Sequence, residues 1–218
     1  MLSFAEEEGW ILKNPFPSKI ISISSEKARE EQITHEQEHR LLEVCKDKRA
    51  HLKPILICAL DTAMRPDEIF KLCWKDINFE SSNINIRIEN SKTEKTRNVW
   101  MSLRLKIELE KLWNASPKDL SQSVFGTKSI KKAFNTACRL AGIENFRFRD
   151  IRHVGTTRII LAGYTHAEVM SVTGHTQMKT FLRYLNLTPD VISTKSSRMD
   201  SFLTENQKQV KEISQANN

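Results

Sequence analysis

Phe146-Arg-Phe-Arg-Asp-Ile-Arg-His-Val-Gly-Thr-Thr-Arg158, an apolar segment, and then Val172-Thr-Gly-His-Thr-Gln-Met-Lys-Thr-Phe-Leu-Arg-Tyr184 form the stretch on which the reading of this chain turns. Arg149 and Arg152 stand three apart and share a face if the segment is helical. A Gly174-His175 pair follows, and Tyr184 comes nine residues after that histidine. These groups suit a phosphate-handling site, because a guanidinium is planar, permanently charged and able to bind two oxygens at once.

A second cluster lies upstream, in Asp61-Thr-Ala-Met-Arg65-Pro-Asp-Glu68-Ile. The nearly all-apolar run Leu52 to Met64 predicts a buried central helix. Pro66 pushes Arg65 out of the helical region and suits the first position of a new helix, Pro66 to Trp74. Arg65 therefore stands beside a helix N-terminus, where backbone N–H groups and the dipole favour an anion. Glu68 can reach back to orient Arg65; on its own, without the other motifs, the pair reads first as a structural ion pair. Residues 83–88 alternate polar and apolar with period two and residues 97–101 read as a second short strand, with the polar hairpin tip 90–96 between them carrying Lys92 and Lys95.

In series, these motifs resemble the catalytic domain of the tyrosine recombinases, the phage integrase family, over roughly residues 34–187. The resemblance implies a mainly α fold with a small antiparallel β-sheet (α+β), and a site-specific recombinase that cleaves and rejoins double-stranded DNA in integrating or excising a mobile element. Tyr184 would be the nucleophile, forming a 3′-phosphotyrosine, so that neither ATP, cofactor nor metal is needed. Arg65 and Arg152 would stabilise the phosphorane, Lys92 would protonate the leaving 5′ oxygen, and His175 would hydrogen-bond a nonbridging oxygen. Gly174 would permit the tight turn that brings His175 close, at a helix start. The family also implies a homotetramer on DNA, a monomer in solution, and a cytoplasmic protein of bacterial or phage origin. Other readings are a type IB topoisomerase-like activity and a DNA-binding relic or regulator that no longer cleaves.

One position departs from the family pattern. Where a histidine commonly assists proton transfer from the tyrosine, this chain has Arg149, which stays protonated and cannot act as acid or base. Type IB topoisomerases place a lysine in the equivalent role, so activity is expected to survive with an altered pH dependence. His153, next to Arg152 but rotated from it on a helix, reads as a packing residue. Tyr164, in the turn Ala162-Gly-Tyr-Thr-His166, is the other tyrosine and is not expected to be the nucleophile.

Composition agrees without deciding. The 218 residues carry 34 Lys and Arg against 27 Asp and Glu, a formal charge of +7, which is compatible with a polyanionic partner. Cys45, Cys58, Cys73 and Cys138 lack paired C-x-x-C spacing and read as reduced core residues. No apolar run approaches the roughly 18 residues of a membrane span. His35 and His39, at i and i+4 behind the capping-box pattern Thr34-His-Glu-Gln37, sit among charges and read as a solvated face.

The domain expectation is threefold. Residues 1–30 resemble the end of a missing N-terminal DNA-clamping domain plus linker, through Ala5, Gly9, Ile11, Asn14 and Pro15. Residues 31–195 form the catalytic domain, with amphipathic helices carrying Leu103, Leu105, Ile107, Leu109 and Leu112, then Ile130, Phe134, Ala137 and Leu140. Residues 196–218 are polar with sparse apolar positions, too few to hold a helix alone, and suit docking on a neighbouring subunit.

Overall fold

The computed structural model describes residues 2–13, 32–90, 96–127 and 129–178. The chain divides into two compact units, Met1–Glu30 and Glu31–Asn218. In the first, helix α1 (Leu2–Glu7) ends at Gly9, which takes φ +73°, and Phe4 meets Trp10 edge to face.

The second unit is built around α3 (Leu52–Thr62). Leu52, Ile55, Leu56, Cys58 and Leu60 on it are at most 1 % exposed. Burying each of the large apolar side chains is worth about 1.5–3 kcal/mol. Against α3 pack α5 (Leu103–Asn114) and α7 (Ile151–Leu161), while α2 (His35–Glu43) meets α6 (Lys131–Leu140). The predicted cap forms at α2: Thr34 Oγ1 accepts from the Gln37 N–H at 3.1 Å and Gln37 Oε1 accepts from the Thr34 N–H at 2.9 Å. Buried Glu38 joins three helices, accepting from Arg104 of α5 and Arg158 of α7, while Arg104 also holds Asp61 of α3.

Three features depart from the sequence expectation. The helix after Pro66 is short, α4 (Pro66–Phe70), because Cys73 leaves it to bridge with Ser123. The sheet gains a third strand: β1 (Ile77–Asn78), β2 (Asn83–Ile86) and β3 (Arg97–Trp100) pair antiparallel in that order, with Ile84 opposite Val99 and Ile86 opposite Arg97. Leu103, Ile107 and Leu140, expected on apolar faces, are exposed, since their helices bury only the stripes carrying Leu105, Leu109, Phe134 and Ala137.

Three of the four cysteines read as core residues are buried, and Cys73 is not, because it leaves α4 for the bridge with Ser123. All four are free, and Cys45, Cys58 and Cys138 are buried. Burial pushes their pKa values up to about 11, 12 and 12 respectively. His35 and His39 are exposed. No described helix is long and apolar enough to cross a membrane.

Helix α7 crosses α3 at close range. A Cβ at Gly155 would stand 2.8 Å from the Leu60 carbonyl oxygen and 3.1 Å from Ala63 Cβ, so only glycine fits. Ala63 ends α3 in the left-handed region, φ +51° and ψ +26°. That turn aims the Ala63 carbonyl at α7 and delivers Arg65 to the mouth of α4.

Candidate active site

The site is assembled on the C-terminal end of α8 (His166–Thr173), whose last turn leaves carbonyls without helical partners. Three consecutive ones each receive a guanidinium from a distant part of the chain. Arg97 Nε donates to Val172 O at 2.7 Å, Arg152 Nη2 to Thr173 O at 2.7 Å, and Arg65 Nη2 to Gly174 O at 3.0 Å. The partial negative charge of the helix end favours cations there. Strand β3, helix α7 and the α3–α4 corner thus meet at one turn.

Arg65 is extended, φ −69° and ψ 147°, as the following proline demands. Glu68, only 1 % exposed, accepts from the Arg65 backbone N–H at 2.8 Å and from Arg65 Nη1 at 3.0 Å. The same carboxylate takes both terminal nitrogens of Arg97, at 3.0 and 2.6 Å. Burial works to raise the Glu68 pKa, but the bonds and charges of Arg97 and Arg65 outweigh it and the carboxyl lies below its ordinary value. Arg152, 9 % exposed, also gives Nη1 to Ala63 O at 2.8 Å.

His175 completes the group. Arg152 Nη2 lies 3.3 Å from its Nε2, and Thr173 Oγ1 lies 2.6 Å from its Nδ1. Thr173 Oγ1 also donates to Val169 O at 2.7 Å, which leaves it to accept from Nδ1–H. Both neighbours then agree on one neutral tautomer, with the proton on Nδ1 and the lone pair on Nε2 facing Arg152. Burial first, then the charges of Arg152, Arg65, His153 and Arg97, hold the imidazole pKa down at about 3. Gly174 caps the end of α8 with φ +71°, so it closes a helix where the sequence suggested that it opens one. A Cβ there would stand 3.0 Å from Arg97 Cζ.

Of the predicted site residues, Arg65, Glu68, Arg152, Gly174 and His175 come together. Arg149 goes elsewhere: it lies in the 3-10 turn Phe148–Asp150, its side chain is 64 % exposed, and it stands 3.9 Å from Asp150 at the edge of a cavity. It does not share a helix face with Arg152, because the α-helix starts only at Ile151. Lys92, Lys95 and Tyr184 lie outside the described residues, as do the linker from 14 to 31 and the tail 196–218. Tyr164 is 42 % exposed and stacks on Trp100, with ring centroids 5.0 Å apart. His153 is half-buried on α7.

Arg97 was missed as a site residue. The signal was its place two residues before buried Val99, on the inward face of β3, where a charge requires a partner.

The sequence profile of the phage integrase family matches residues 31–190. The integrase of Salmonella phage P22 is 27 % identical over 214 residues, covering 91 % of this chain and 54 % of that protein. The chain spans about half the length of the curated relatives it matches, 54, 41 and 51 %. Among solved structures, a Tn1549 transposon integrase superposes with TM-score 0.68 at 18 % identity, over 91 % of this chain and 75 % of that one. The catalytic domain of bacteriophage HP1 integrase gives 0.60 at 20 %, over 76 and 93 %. The fold is that of these catalytic domains, mainly helical with a small antiparallel sheet. By the extent of the profile match, this chain belongs to the phage integrase family.

Proposed function

We propose that the chain is the catalytic part of a site-specific DNA recombinase that cleaves and rejoins strands through a 3′-phosphotyrosine on Tyr184. The observation that carries this reading is the set of three guanidiniums fixed on successive carbonyls at the end of α8. With Glu68 as their shared anion, three positive charges and one negative leave +2, which complements a phosphorane carrying two negative charges on its nonbridging oxygens. Because the guanidiniums are already held by protein acceptors, little reorganisation remains when that charge develops.

In this reading Arg65 and Arg152 meet the nonbridging oxygens, Lys92 protonates the leaving 5′ oxygen, and Arg97 holds Glu68 and the end of α8 in place. His175 is neutral before DNA arrives. Its donation to a nonbridging oxygen then requires it to take up a proton as the phosphate offsets the surrounding arginines. Arg149 adds positive charge without proton transfer. Double-stranded DNA is the partner, a reading supported by the Tn1549 structure, described as a complex with transposon right end DNA. The curated relatives include a shufflon-specific DNA recombinase of Escherichia coli, 29 % identical over 162 residues. Integration or excision of a mobile element by a tetramer assembled on DNA, with residues 196–218 docking in trans and residues 1–30 joining a clamping domain, completes the proposal.

The test is covalent trapping. Nicked suicide duplexes from DNA flanking the gene are incubated with the protein in EDTA at low salt, since phosphate contacts dominate affinity. An adduct on a denaturing gel that disappears in Tyr184→Phe and persists in Tyr164→Phe is the expected result. Absence of any adduct, also after fusion to a clamping domain, would turn the reading to a DNA-binding relic.

A further inference from the structure

Beside the guanidinium cluster is a cavity of about 650 Å³, between α4, the start of α6 and the turn before α7. That size lies within the range of small-molecule sites, roughly 300–1,000 Å³. Its floor is aromatic. Phe148 meets Phe70 at 5.7 Å and Phe134 at 5.6 Å between ring centroids, and Phe70 and Phe148 are only half-buried, which leaves part of their surface to the cavity. Its rim is cationic: Lys131, Arg147 and Arg149 line it and are exposed, and none of the lining residues is acidic.

Each half of this lining excludes a simple occupant. A phosphate alone would neutralise the rim and leave the rings wet. An apolar ligand would cover the rings and make no use of the cationic rim. A nucleotide presents a planar face for the aromatic floor and an anion for the rim, the combination that single-stranded nucleic-acid sites use. Position adds to this. Pro66, which follows Arg65, lines the cavity, and so does Arg149, three residues before Arg152.

We propose that the cavity is a nucleotide subsite. It takes one base of a DNA strand out of its stack, against Phe70 and Phe148, with that nucleotide's phosphate on Arg147, Arg149 and Lys131, next to the phosphate held by Arg65 and Arg152. The proposal rests on the recombinase reading and gives Arg149 a binding role in place of the proton transfer it cannot perform.

The probe is an octathymidylate carrying one 5-iododeoxyuridine, irradiated with the full chain, the crosslink being mapped by mass spectrometry. Crosslinking to Phe70 or Phe148 is expected, reduced at least tenfold by Asn135→Trp, which fills the cavity from an exposed position on α6, and several-fold by Lys131→Glu. A crosslink confined to the Trp100–Tyr164 stack would overturn the proposal. So would equal loss of crosslinking on adding octaglutamate at the same charge concentration, which would leave a general anion surface or a peptide site. The trapping assay on suicide duplexes is run in parallel with Asn135→Trp. A normal adduct with no crosslink to Phe70 or Phe148 in the wild type removes the subsite and keeps the recombinase reading. A cavity crosslink with no adduct removes the recombinase reading and leaves a strand-binding pocket.

Discussion

The arginines at the end of α8 and those around the aromatic cavity are opposite in circumstance. The side chains of Arg65 and Arg97 are 22 and 8 % exposed, Arg152 as a whole is 9 % exposed, and each donates to a backbone carbonyl. Arg149 is 64 % exposed and stands 3.9 Å from Asp150, with no hold of the kind the α8 carbonyls give. Ordering a free arginine costs up to about 2 kcal/mol of side-chain entropy at the moment of binding, whereas the α8 set has met that cost on folding. Under the proposed function and the proposed subsite, the difference would separate two tasks: cations that meet a short-lived charge are held still, and cations that follow a strand are left to adapt.

The contrast is broken most directly at its shared anion. Glu68→Gln leaves Arg65 and Arg97 with one neutral amide between them and is expected to cost about 3–5 kcal/mol, a fall in Tm of roughly 6–20 °C for a chain of this length. If urea denaturation finds a loss below about 1 kcal/mol, the cluster is not held through Glu68. Gly174→Ala imposes a left-handed non-glycine residue and presses on Arg97, with an expected cost of about 1–3 kcal/mol. The same measurement checks it, and Arg97→Ala should relieve part of the loss.

The pH dependence sharpens the comparison. The folded pKa of His175 is about 3, below its ordinary value near 6.5. Its neutral form is therefore favoured by folding, so the associated stability is full above about pH 6.5 and is lost as pH falls from there toward 3. Glu68 is depressed as well and loses its contribution at lower pH, as its carboxyl protonates. In His175→Asn the slope between pH 6.5 and 4.5 should flatten, and thermal melts across that range would detect it. At the other extreme, Arg149→Ala is expected to change stability by no more than about 0.5 kcal/mol. A larger loss would mean that Arg149 is as structural as the α8 set.

The sequence disclosed what depends on local chemistry. Pro66 dictates the extended Arg65, Thr34 and Gln37 make their cap, and the unbroken apolar run of α3 marks the core. It did not disclose what long-range contacts decide. Nothing local says that Cys73 will pair with Ser123 and cut α4 short, or that a strand as short as Ile77–Asn78 will join the sheet. Gly174 was read correctly as a turn residue, but whether it opened or closed a helix depended on where α8 stopped. Arg149 and Arg152 looked equivalent by spacing; the helix that would align them begins between the two, so one is buried and the other faces the cavity. Arg97 was within reach, since alternation with Val99 already turns it inward.

The uneven burial of the thiols gives the chain a built-in clock. Cys73 is the one of the four that is not buried, while Cys58 sits at the centre of α3 with its thiol protonated far above neutral pH. An alkylating reagent should therefore mark Cys73 promptly and Cys58 only as often as α3 parts from the helices around it. The interval between the two labels, measured with and without duplex DNA, would report whether adding DNA loosens or tightens the helices around α3.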